Sequence, residues 1–75
     1  MNTHYCVEDF DVPASMQQVP AQVLEKVMHN LALHETQQGN PMSAANAMEI
    51  CVGMGRAGYV DGQAYVADEY IAKFG

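Results

Sequence analysis

Only 15 of the 75 residues are Leu, Ile, Val or Phe, and that scarcity limits the chain to one small core. The fraction, a fifth, sits at the roughly 20 % below which chains tend to stay disordered. Total apolar content reaches 49 % because ten alanines and six methionines make up the difference. Alanine contributes little buried area, whereas methionine fills irregular gaps. The expectation is therefore a single ordered but marginal domain over residues 1–75, below the usual size of about 100–150 residues.

Proline and glycine cut this chain into short segments. Residues 1–14 form an arm in which Tyr5, Cys6, Val7, Phe10 and Val12 carry strand-like character beside the acidic Glu8, Asp9 and Asp11. Pro13 biases its predecessor away from helix, so the arm reads as extended or as a short strand. Ser15 and Gln18 have capping-box spacing, but Pro20 would hold any helix begun there to one turn. A helix over about 20–37 follows, with Val23, Leu24, Val27, Met28 and Leu31 making one apolar stripe at three- and four-residue steps. Pro20 suits its start and Gly39 its end. Asn40, as N-cap, and Pro41 restart the chain into a second helix over about 41–55.

This second helix is apolar around more than half its circumference, so it must lie centrally or be covered by a partner. Gly53, Gly55 and Gly58 fray it into a turn, with Tyr59 and Val60 as a hydrophobic lead-in. Asp61 is read as the cap of a third helix over about 62–74, in which Val66, Ala67, Tyr70, Ile71 and Phe74 share a face. The fold class expected is mainly α: a small three-helix bundle over 15–75 with an N-terminal arm.

Charge excludes several functions. Nine carboxylates face only three Lys and Arg, for a net charge of −6. Lys26, Arg56 and Lys73 are too few and too scattered to neutralise phosphates, so no direct nucleic-acid binding is expected. The helix–turn–helix outline over 40–74 does not change this, because Asp68 and Glu69 on its last helix would repel a phosphate. Anionic membrane surfaces are excluded on the same ground, and no apolar run approaches the roughly 18–20 residues of a span. Met1 to Tyr5 lack the basic start and apolar stretch of a signal peptide, which points to the cytoplasm and to reduced Cys6 and Cys51.

Catalytic and metal constellations are weak. His4, Cys6, His29, His34 and Cys51 are legitimate ligands, yet His29 and His34 diverge by about 140° on a helix and the spacing of zinc motifs is missing. Cys51 sits mid-helix, where a thiol is usually inert, and Ser15 and Ser43 read as local capping residues. Gly53-x-Gly55-x-x-Gly58 follows a helix instead of a strand, so it is a turn and not a phosphate cradle. Asp61, Asp68 and Glu69 lack the spacing of a calcium loop. No enzyme, cofactor or metal is expected.

Recognition by surface contact remains. Tyr5, Phe10, Tyr59 and Tyr65 are candidate anchors, since aromatic side chains carry much interface energy. Glu8, Asp9, Asp11, Asp68 and Glu69 beside them would draw a partner with a basic surface. In general character, a short acidic domain rich in Met and Gln resembles the accessory proteins of bacteriophages and mobile elements. That resemblance implies an inhibitor or adaptor that docks on a larger, nucleic-acid-handling protein, such as an anti-defence or anti-CRISPR protein. A self-assembling module, dimerising through the Met42–Met54 helix, is the alternative, because domains this small often complete their cores by association. A small metal-binding protein is the second.

Overall fold

The computed structural model describes residues 15–75. The expectations for residues 1–14, including His4, Tyr5, Cys6, Glu8, Asp9, Phe10 and Asp11, lie outside the described residues. From there the chain runs β1 (Met16–Val19), α1 (Ala21–Gln37), α2 (Ala44–Gly53), β2 (Ala57–Val60), β3 (Gln63–Ala67) and α3 (Asp68–Phe74). The three strands form one antiparallel sheet of order β1-β3-β2. The mainly-α three-helix bundle is thus corrected to an α/β arrangement of three helices and a sheet.

The correction begins at the two residues between β2 and β3. Asp61 has φ 53° and Gly62 φ 78°, so both lie in the left-handed region. Two such residues in succession make the tight hairpin turn whose twist matches paired strands, and Asp-Gly is a preferred sequence for it. Asp61 therefore turns the chain and caps no helix. Val60 pairs with Gln63 and Ala57 with Val66, so the lead-in at Tyr59 and Val60 is the end of a strand. The expected helix over 62–74 divides into β3 and the shorter α3. The helix–turn–helix outline becomes helix, hairpin, helix.

β1 replaces the possible turn of helix at Ser15, and it pairs Met16 with Ala67 and Val19 with Ala64. The amide of Asp68 donates to the Ser15 carbonyl at 2.7 Å, and that of Ala67 to the Arg56 carbonyl at 2.8 Å. These bonds extend the ladder on both sides of β3.

The first helix appears as its stripe requires. α1 buries Leu24, Val27, Met28 and Ala32, and Gly39 follows it at φ 93°. α2 is shorter than the expected 41–55. Its N-cap is Ser43, whose Oγ accepts from the Asn46 amide at 3.1 Å. Asn40 does not cap it, and instead donates from Nδ2 to Glu35 Oε1 at 3.3 Å.

The core lies between one face of the sheet and the helices. Ala57, Ala64 and Val66 meet Leu24, Val27, Met28, Ala47, Met48 and Cys51 there. Alternation along β3 turns Tyr65 to the other face, opposite Gly58 and Gln18. α3 returns over the helix side, where Asn30 Nδ2 donates to the Phe74 carbonyl at 2.8 Å. Among the described residues, no helix is long and apolar enough to cross a membrane.

Candidate docking surface

The helix layer carries an open apolar groove. α1 presents Leu31 and Glu35 four residues apart, hence on one side of the helix. α2 presents Ala47, Ile50, Cys51 and, at its C-cap, Met54 at spacings of three and four; Ala47 and Cys51 also reach the core, while Ile50 and Met54 face solvent. Met42 closes the end from the α1–α2 connection, and Tyr70 of α3 forms a further wall. Together these residues enclose about 310 Å³. A continuation past Leu31, Glu35 and Tyr70 reaches His34, Glu69, Lys73 and Phe74.

Exposure distinguishes this groove from the rest of the helix surface. Ile50 is 45 % and Met54 61 % exposed. Leu33, at 52 %, is the other large apolar side chain that faces solvent among the described residues, and it lies elsewhere on α1. Leu33 borders a separate, more polar hollow with Asn30, His34, Gln37 and Lys73, whereas Ile50 and Met54 adjoin each other on one apolar groove, the arrangement that marks an interaction surface.

Cys51 lies at the groove floor, 2 % exposed. Burial pushes its thiol above the ordinary range, partly offset by a hydrogen bond with Tyr70 and by the charge of Arg56. Burial likewise raises the Tyr70 hydroxyl, helped by Cys51. Burial thus favours the protonated thiol at the groove floor.

The rim is tied by long-range contacts. Arg56 forms an ion pair with Glu69, linking the α2–β2 connection to α3. The His34 and Phe74 rings lie 5.5 Å apart, Tyr70 and Phe74 meet edge-on at 6.3 Å, and Lys73 Nζ sits 5.9 Å from the Phe74 ring centre. A smaller hollow of about 170 Å³ lies on the other side of α2, among Leu24, Met28, Ala44, Met48 and Tyr59.

The residues singled out in the sequence are not gathered into one surface. Tyr59 is half-buried on the helix side of the sheet, where it lines the smaller hollow. Tyr65, also half-buried, is in β3 on the opposite face of the sheet. Asp68 and Glu69 are exposed at the start of α3, and Glu69 is already paired with Arg56. Leu31, Ile50, Met54 and Tyr70 were not among them. The signal for these was the excess apolar coverage of α2, which exceeds what one buried face needs.

Among the described residues no group of three or more His, Cys, Asp or Glu gathers as for a metal ion. His29 is exposed and His34 is half-buried against Phe74. No family model matches the chain, and neither a curated protein nor a solved structure does.

Proposed function

We propose that this chain is a small acidic protein-binding module, an inhibitor or adaptor that docks on a larger protein with a basic, nucleic-acid-handling surface. The role is that of an accessory protein of a phage or mobile element, such as an anti-defence or anti-CRISPR protein. The observation that carries the reading is the exposure of Ile50 and Met54 along the groove. Methionine walls adapt to partner side chains, and a net charge of −6 accelerates encounter with a cationic surface. The module acts by contact, without catalysis, in the cytoplasm, where the free thiol of Cys51 stays reduced.

Affinity capture from host lysate, with the whole chain and its Ile50→Asp variant as baits, tests this. The wild-type chain retains a defined partner, Ile50→Asp loses it, and rising salt weakens capture. A partner retained equally by both baits at all salt concentrations overturns the reading.

The same exposed strip supports a second reading, a homodimer whose seam lies on the Met42–Met54 segment. Sedimentation equilibrium then gives a mass that rises with concentration for the wild-type chain and stays monomeric for Ile50→Asp. A concentration-independent monomer removes it.

A further inference from the structure

We infer that the groove between α1, α2 and α3 takes an amphipathic helix of the partner, bearing lysine or arginine beside its apolar stripe. This rests on the docking reading above and names the element that docks.

The groove walls are side chains on helices, whose backbone amides and carbonyls are engaged within the helices themselves. An incoming strand finds no ladder to extend there, which leaves side-chain packing as the mode of recognition. Ile50 of α2 and Met54, its C-cap residue, stand four residues apart and form a ridge, and Ala47, one turn before Ile50, leaves room for close approach. Apolar side chains at positions i, i+3, i+4 and i+7 of another helix fit between such a ridge and a facing wall, here Leu31 and Tyr70. The sheet already covers the far side of α1 and α2, so the added helix packs on the open side of the layer.

Charge selects among helices. Glu35 is the charged side chain lining the groove among the described residues. It accepts from the exposed side-chain amide of Asn40, at 3.3 Å. The continuation is bordered by Glu69, engaged by Arg56, and by Lys73, which sits over the Phe74 ring, so Glu35 is the charge that faces the apolar part of the groove. A cation flanking the partner's apolar stripe complements Glu35. A second copy of this chain would bring another Glu35 and a further −6 of net charge, so it is the poorer occupant.

Methionine-methyl NMR on the full chain provides the test, because its methionines report on separate places. Met42 and Met54 line the groove, while Met28 and Met48 line the smaller hollow. The probe is a Leu/Lys peptide of about 18 residues, long enough to hold a helix, with leucines at helical spacing. One control has the same composition with two central prolines, and another replaces every Lys by Glu. The Leu/Lys helix should shift Met42 and Met54 and leave Met28 and Met48 in place. Binding should weaken at least about tenfold with either control, and likewise with Ile50→Asp.

If the proline peptide binds as tightly, the helical mode is overturned while docking of a basic apolar segment stands. If the Glu peptide binds as tightly, the charge selection is overturned. If no peptide moves Met42 or Met54, the inference fails, and whether the chain still docks on a protein is read from the Ile50→Asp capture. Shifts at Met42 and Met54 that grow with protein concentration alone assign the groove to a second copy.

Discussion

Asp61 and Gly62 carry the reversal on which the sheet depends. A side chain at Gly62 would meet nothing within 4 Å, so its substitution is a purely backbone matter. Gly62→Ala should cost about 1–2 kcal/mol from left-handed strain alone. Asp61→Asn should be close to neutral, since Asn tolerates that region. Urea midpoints at unchanged slope measure both. Cys51 and Tyr70 set a pH dependence. Both groups hold their protons more tightly folded than unfolded, with burial as the main cause. Stability from them is therefore complete below the ordinary thiol range and is lost as pH climbs through the raised folded-state values. The urea midpoint should fall above about pH 9. Cys51→Ala with Tyr70→Phe should flatten that fall, and an identical fall in the double variant would refute the assignment.

The elements differ in how they are started. α1 has no side-chain cap, and Pro20 supplies its entry with an extended backbone and carbonyl bonds to the Val23 and Leu24 amides. α2 depends on one hydroxyl, and it is only ten residues long. Ser43→Ala should cost about 1 kcal/mol, read as a loss of helical signal and a lower urea midpoint, whereas Ser43→Asp should retain most of it. Because α2 carries Ile50 and ends at the Met54 cap, fraying at Ser43 also loosens the groove. The Arg56–Glu69 pair that fixes α3 beside it is surface-exposed, and contributes no more than about 1 kcal/mol.

Across the whole molecule, core and groove ask opposite things of the same few large apolar residues. Leu24 is 1 % exposed between α1 and the sheet, and Leu24→Ala should cost about 3 kcal/mol through the cavity it leaves. That is a large part of the stability available to a domain this small, typically about 5 kcal/mol at the low end. Ile50→Ser should leave thermal stability nearly unchanged while it removes binding. Calorimetry on the two variants separates a side chain kept for folding from one kept for contact, and a large loss from Ile50→Ser would place Ile50 in the core.

The sequence by itself determined α1, because a stripe from Val23 to Leu31 between Pro20 and Gly39 is a local pattern that needs no other segment to interpret it. It also determined that α2 has more apolar surface than one face can bury, and that acid outnumbers Lys and Arg by nine to three. The hairpin was partly written there, in Val60-Asp61-Gly62-Gln63, but Val66, Ala67, Tyr70, Ile71 and Phe74 also fall on one side of a helix. Only tertiary structure decided between these. Val66 is in a strand because β1 and β2 flank β3 on both edges, and Met16 reaches Ala67 across nearly the whole described chain. Strand preference is a property of packing against neighbours, and those neighbours are distant in sequence. The groove is tertiary for the same reason: Leu31, Ile50, Met54 and Tyr70 come from three helices, and none of those helices alone shows which of its apolar positions the sheet will leave uncovered.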